Sequence, residues 1–237
     1  LIQLLLAIAT CCACDLLTRR LRGQPLTPKQ HSLFEQPLLA EGSGLVSALL
    51  LALALPPYSP WWLTLIACGF AIGFGKQLYG GLGQNPFNPA MVGYVVVLIS
   101  FPVEMTSWPA PHGVAAMDGL KHILGIASLP DGWAQATALD ALKVNKSLTI
   151  DELRASNAAF GHFGGAGSEA VNLAFLAGGL YLLHKRLITW HAPLGMLAAL
   201  FVMSLLFWNG SGSDSNGSPL FHLLTGATML GAFFIVT

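Results

Sequence analysis

The sequence predicts an all-α integral membrane protein, a polytopic helical bundle with short or broken helices and one long polar region, and three observations predict it. Apolar residues fill 54% of the 237 positions and charged ones only 9%, against roughly a quarter charged in soluble domains. Seven apolar stretches recur, at 1–17, 43–55, 60–74, 90–101, 171–184, 188–208 and 219–237. Several are shorter than the roughly 20 residues a spanning helix needs. That shortness, beside Pro and Gly breaks, points to half-helices and tight hairpins like those meeting near the midplane of transporters.

Leu1 to Cys14 has the apolarity of a secretory leader, yet no small-residue cleavage site follows before Arg19-Arg20, so it reads as the end of a membrane helix. The chain opens at Leu1-Ile-Gln and stops inside the run Phe233 to Thr237, and is expected to be a fragment of a longer one. Cys11 and Cys14 form a C-x-x-C pair. With no second pair or nearby histidine they read as small buried helix residues. Pro56-Pro57-Tyr58-Ser59-Pro60-Trp61-Trp62 is expected to turn at an interface. Gly69-x-x-x-Gly73 permits close helix contact.

Charge sets the topology. Arg19, Arg20, Arg22 and Lys29 crowd the first polar loop and Lys185-Arg186 follow the stretch 171–184, which places both on the cytoplasmic side. Residues 43–55 then run outward, 60–74 return, 90–101 run outward and 171–184 return. The chain divides accordingly into an N-terminal membrane region 1–101, a periplasmic loop 102–170 and a C-terminal membrane region 171–237. The loop carries four basic and seven acidic residues. A second external loop, 209–218, reads as a flexible polar linker. Asn145-Lys-Ser147 and Asn216-Gly-Ser218 fit a glycosylation pattern that matters only in a eukaryotic secretory route. Eleven basic residues balance eleven acidic ones, so nothing argues for nucleic acid as a partner.

Gly75 to Tyr94, GKQLYGGLGQNPFNPAMVGY, interrupts the apolar sequence with glycines, two Asn-Pro pairs and a lysine. Such backbone survives at membrane depth only inside protein or along a polar cavity, so a re-entrant, buried block is expected. Lys76, Gln77, Asn85 and Asn88 are its candidate ligands for a polar group such as a second flavin or a phosphate. The competing reading makes the Asn side chains caps of broken helices. Together with Ile99-Ser-Phe-Pro102 and Met105-Thr-Ser-Trp108, the block resembles the RnfD/RsxD subunits of the bacterial Rnf electron-transport complex, relatives of the NqrB subunit of sodium-pumping NADH:quinone oxidoreductase. The resemblance runs from Leu1 to Thr237. It implies a multi-pass subunit of the bacterial inner membrane, within a complex that couples electron transfer to ion movement, the ion being Na+ or H+.

Asp131-Gly-Trp-Ala-Gln-Ala-Thr137 resembles that family's target for covalent flavinylation, Asp-Gly-x-Ser-x-Ala-Thr. The resemblance implies FMN joined by a phosphoester to Thr137, delivered from FAD by a periplasmic flavin transferase that reads Asp131, Gly132 and Ala136. Ala134 stands where serine is usual and Ala138 where proline is common. The chemistry is coherent in itself, since a threonine hydroxyl is a weak nucleophile and must be reached by an activating enzyme. Flexible, polar, exposed sequence meets that need. Asp-Gly is also an ordinary turn dipeptide. Thr225-Gly-Ala-Thr228 has a similar look but sits in apolar sequence, where Thr225 and Thr228 are expected to pack helices or approach a flavin ring.

The seven histidines show no paired ligand spacing, so no metal is assigned. Asp15 is the one acid near a marked span, and no ion route is legible. The expected function is an electron relay through covalent FMN, with a second, noncovalent flavin such as riboflavin as a further candidate cofactor. The expected partners are the lipid bilayer, other membrane and periplasmic subunits, and the transferase. The alternatives are a solute channel, suggested by Asn88-Pro-Ala90 and the broken helices, or a scaffold subunit.

Overall fold

A computed structural model describes residues 2–23, 42–81, 83–110, 113–129, 131–145, 148–210 and 215–236. Lys29, His31, His112, Lys146, Ser147, the stretch 211–214 and Thr237 lie outside the described residues. The described residues are helical apart from turns, connecting segments and isolated bridge residues, Phe160 pairing with Gly165. They form two compact units. One comprises residues 1–109 and 114–133, the other 110–113 and 134–237.

In the first unit α1 (Ile2–Leu21) packs on α2 (Ser43–Ala54) and α3 (Trp61–Phe70). α3 continues as a π-helical segment, Ala71–Gln77, and α4 (Pro89–Ser100) lies against both. Short helices α5 (Pro102–Thr106) and α6 (Ala116–Ile123) follow. Each apolar stretch of this half became a helix within a few residues of its expected limits. α1 is long and apolar enough to cross a membrane, while α2 and α4 have 12 residues each.

Small residues make the core. Ala7 and Cys11 of α1 meet Ala48, Ala67, Cys68 and Ala71, and the Cys68 thiol donates to the Ala7 carbonyl at 3.7 Å. The tightest approach is at Gly93, where a Cβ would run into the Ala67 carbonyl, and at Gly75, where it would lie 2.8 Å from Pro89 Cα. Gly69 and Gly73 have open space where a Cβ would stand. Among the described residues, therefore, the small-xxx-small pair brings no neighbour into close approach.

The stretch after the π segment departs from the expected buried block. Gly75, Lys76, Gln77 and Gly81 are buried, but residues 78–80 and 83–84 are exposed. Local bonds explain how it can be: Gly80 N–H donates to Gln77 O, Gly81 N–H to Lys76 O and Gln84 N–H to Gly81 O. Gly80 and Gly81 hold φ of +113° and +106°, values that glycine alone adopts cheaply.

Charge is buried in the same unit. Lys76 is 2% and Asp15 1% exposed; the Lys76 ammonium lies 3.3 Å from Asp15 Oδ1, and Gln77 Nε2 donates to the same oxygen at 2.5 Å. Arg19 Nε reaches Asp15 Oδ2 at 3.3 Å.

In the second unit α7 (Ala138–Val144) and α8 (Ile150–Ser156) are followed by α9 (Ser168–His184) and α10 (His191–Phe207). α11 (Pro219–Leu224) and α12 (Thr228–Leu230) are two pieces of one interrupted helix that ends in a second π segment, Gly231–Ile235. Phe233 and Met229 pack against Phe175, Leu176 and Met196. A separate small core joins Ala138, Ile150, Leu153, Phe160 and Phe221. The polar region 102–170 is thus largely folded and shared between the two units, rather than a plain loop.

Exposed apolar side chains cover the long helices, among them Val46, Leu49, Leu53, Val95, Leu180 and Phe201. Such surfaces suit lipid, which is as apolar as leucine itself.

This packing sets two expectations for stability. Gly93→Ala forces α3 and α4 apart and is expected to cost about 1–3 kcal/mol, the usual range for overpacking, read as a lower melting temperature of the full-length protein in detergent. Asp15→Leu strips Lys76 of its carboxylate and is expected to cost about 3–5 kcal/mol. The double variant Asp15→Leu, Lys76→Met removes the most deeply buried pair while Arg19 stays, and the same melting assay should show part of that loss recovered.

Candidate functional site

Thr137 is the N-cap of α7. Its hydroxyl donates to Asp140 Oδ2 at 2.7 Å, Asp140 N–H donates to its Oγ1 at 3.3 Å, and its own N–H donates to Oδ2 at 3.3 Å. This is a reciprocal capping box, which satisfies backbone donors that the first helical turn leaves without partners. Thr137 is half-buried, while Ala136 and Asp140 are exposed. An open groove of about 510 Å³ runs alongside, lined by Ala136, Asp140, Ala141, Val144, Leu148 and Leu153 among others.

The two ends of the expected motif are held differently. Gly132 turns the chain with φ +80° beside exposed Asp131. Trp133 packs edge-on against Tyr58, centroids 6.1 Å apart, and 5.5 Å from the His122 ring. Gln135 Nε2 donates to Asn157 Oδ1 at 3.1 Å. The boundary between the compact units falls between Trp133 and Ala134. The segment expected to be flexible is therefore pinned by its variable positions, which leaves Ala136 and Thr137 as the accessible step between a turn and a helix.

A second box of the same form caps α8. Thr149 Oγ1 donates to Glu152 Oε2 at 3.0 Å, and the Thr149 N–H, then its hydroxyl, hold the Glu152 carboxyl below the usual carboxylate range.

Thr225 and Thr228 lie at the interruption between α11 and α12, and both hydroxyls are committed. Thr225, 3% exposed, donates to Phe221 O at 2.5 Å and accepts from Gly165 N–H at 3.2 Å. Thr228 donates to Thr225 O at 2.9 Å and His222 O at 3.0 Å. The segment does adjoin α7, since a Cβ at Gly226 would lie 3.2 Å from Leu139 and one at Gly165 would lie 3.3 Å from Ala138. Two residues the sequence reading passed over complete the region. Asn172, 1% exposed, donates to Ser168 O and Gly226 O, both at 2.9 Å, and accepts from Met229 N–H at 3.0 Å. Ser168 Oγ donates to Leu224 O at 3.0 Å. An amide early in an otherwise apolar helix was the available signal, because a buried amide demands partners.

The Gly75 block is not assembled as one ligand site. Lys76 and Gln77 turn inward to Asp15, whereas Asn88 caps α4 by accepting from Ala90 N–H at 3.0 Å, with Pro89 at the first helical position. Asn85 Nδ2 donates to Phe87 O at 2.7 Å. The capping reading matches the geometry of Asn88, while Asn85 makes a local side-chain bond that caps no helix. Asp15, the partner of Lys76, is the residue missed; it lies 61 positions away in sequence.

Known proteins narrow the reading. The chain is 93% identical over 199 residues to a protein of Ectopseudomonas mendocina named as a subunit of an ion-translocating oxidoreductase complex, an alignment covering 84% of this chain and 58% of that protein. It is 72% identical over 200 residues to the protein of the same name in Pseudomonas aeruginosa, with the same shares covered, and 48% identical over 246 residues to that of Cellvibrio japonicus, covering 100% of this chain and 66% of the relative. The matched region is thus under two thirds of each of these relatives. The NQR2, RnfD, RnfE family matches residues 1–237, and the chain belongs to that family.

Proposed function

We propose that the chain is part of a membrane subunit that relays electrons within an ion-translocating electron-transport complex of the bacterial inner membrane, through FMN esterified to Thr137. The observation that carries this reading is the state of the three candidate hydroxyls. Thr225 is buried, Thr228 lies between two carbonyls, and Thr137 sits at an accessible helix start beside a groove open enough to admit a second molecule. Thr137 and Thr228 are both half-buried, but Thr137 gives its hydrogen to an exposed carboxylate while Thr228 gives it to main-chain carbonyls. The relatives' printed names, which specify an ion-translocating oxidoreductase complex, support the redox setting over a solute channel or a silent scaffold.

Bound there, FMN would supply one-electron chemistry, and the chain's part would be to hold it. Thr137 provides the tether, and Ala136 and Ala141 leave space beside it. A covalent link suits a relay because a dissociating flavin would be lost between its reduction and its oxidation. The other subunits of the complex and a flavin transferase are the partners this reading requires. For a second, noncovalent flavin such as riboflavin, Asn85 and Asn88 on the surface of the first unit are the supporting residues. Lys76 is turned to Asp15 instead.

The test is fluorescence of the denatured, full-length protein in a gel, made in cells that contain the transferase. Thr137→Ala is expected to be dark, Thr228→Ala as bright as the parent, and Thr137→Ser partly bright, since it keeps a hydroxyl. Peptide mass spectrometry showing FMN on Thr228, with the Thr137 peptide unmodified, would overturn the assignment.

The topology that goes with it puts α6 and α7 in the periplasm, opposite Arg19, Arg20, Arg22 and Lys185-Arg186. Met117 on α6 is 62% exposed. A cysteine placed there is expected to react with an impermeant maleimide in intact spheroplasts, above the background of the parent chain. Reaction only after membrane disruption would reverse the orientation.

A further inference from the structure

We infer that Asp140 is a catalytic residue of the esterification itself: the acceptor chain supplies the general base that takes the proton from Thr137. The inference rests on Thr137 being the flavin acceptor. Its own evidence is geometric. The Thr137 hydroxyl hydrogen points at Asp140 Oδ2 across 2.7 Å, and Asp140 N–H occupies one lone pair of Oγ1 at 3.3 Å. The other lone pair of this half-buried oxygen is the one left for an electrophile.

A threonine hydroxyl is far too weak an acid to ionise first, so its proton must leave as the new bond forms. A base has to stand within about 2.6–3.2 Å of that oxygen, and Asp140 does. The remaining charged side chain on α7 is Lys143, an acceptor of nothing at neutral pH. In the step proposed, Thr137 Oγ1 attacks the flavin-side phosphorus of a flavin dinucleotide. The Oγ1–P bond forms, the bond from that phosphorus to the bridging oxygen breaks, and AMP departs with the electron pair. The proton passes to Asp140 Oδ2.

The groove supplies the approach. Ala136 and Ala141 are small and, with Asp140, line the groove of about 510 Å³ next to Thr137 in the chain. The second capping box shows what the base alone does not accomplish. Thr149 has the same relation to Glu152, but Leu148 precedes it, with both its N–H and its carbonyl bound by the Asn145 amide at 3.0 and 2.6 Å. Thr149 thus has the base without the small residue and open backbone that Ala136 gives Thr137.

The experiment uses full-length protein purified from cells lacking the transferase, then mixed with FAD and purified transferase at saturating concentrations, with FMN incorporation followed by gel fluorescence. Asp140→Asn keeps an oxygen to cap the Thr137 N–H but loses the proton-accepting carboxylate. Its rate constant is expected to fall by about 10²-fold or more, the usual contribution of a general base, with the melting temperature unchanged. Asp140→Glu should restore a measurable part. Glu152→Gln weakens the neighbouring cap and should leave the rate alone. Modification of Asp140→Asn at the parent rate, or an equal loss in Glu152→Gln, would overturn the role of Asp140 while leaving Thr137 as acceptor. A parent protein that takes up no flavin, or takes it up equally as Thr137→Ala, would instead remove the reading on which the inference stands.

Discussion

Asn172 lies buried in the second turn of α9 and bonds, with its one side-chain amide, to Ser168 O, Gly226 O and Met229 N–H. That arrangement states the constraint on which the rest of the molecule depends. Where the chain is packed away from water, an N–H or C=O released by an interruption needs a partner from the protein. The break between α11 and α12 frees several such groups at once. Asn172, Ser168 and the hydroxyls of Thr225 and Thr228 take them up, and Gly226 adopts the left-handed φ of +67° within the break. The interruption is therefore a fixed feature of the fold, held from a neighbouring helix.

The first unit meets the same demand with charge. α3 loosens into a π segment at Ala71–Gln77, and Lys76 and Gln77 at its end turn in toward Asp15 of α1. π segments break the regular ladder and commonly mark functional places. Here the segment is bracketed by small-residue contacts, Gly75 against Pro89 and Gly93 against the Ala67 carbonyl, so that side chains carried by the irregular turn are delivered to a defined position. An ion pair buried this deeply contributes little net stability, because desolvation offsets attraction. Its stronger effect is on register, since a shift of α1 along α3 would separate Asp15 from Lys76 and Gln77.

Much of this fold was legible because hydrophobicity over a dozen residues dictates helices whatever their neighbours. The seven apolar stretches reappear as helices, and the interruption after Leu224 carries a glycine, Gly226. The site was legible in a different manner. Thr137 and its preceding Ala136 emerged from a local motif, and its pairing with Asp140 could have been read from the Thr-x-x-Asp spacing of a capping box. What stayed hidden depended on distance along the chain. Asp15 and Lys76 are 61 residues apart, Asn172 and Met229 57, and no local pattern encodes such meetings. The Gly69-x-x-x-Gly73 signal misled for the complementary reason: spacing places two glycines on one face of a helix but says nothing of which face meets a neighbour.

The cap on α7 also bears on what flavinylation would do to the protein. Converting the Thr137 hydroxyl to a phosphoester removes the hydrogen it donates to Asp140, keeps the oxygen as an acceptor for the Asp140 N–H, and places a phosphate charge close to the carboxylate. The capping bond from the Asp140 N–H is kept, so the loss is confined to the exposed hydroxyl–carboxylate bond, to which like charges side by side add. α7 does not depend on the cap alone, however. Ala138, Ala141 and Leu142 are packed with Ile150, Leu153, Phe160 and Phe221, so the helix is held from its inner face while its N-terminus is altered. The attachment point thus lies where a strong local interaction aligns the hydroxyl before reaction and where the core, rather than that interaction, keeps the helix in place afterwards.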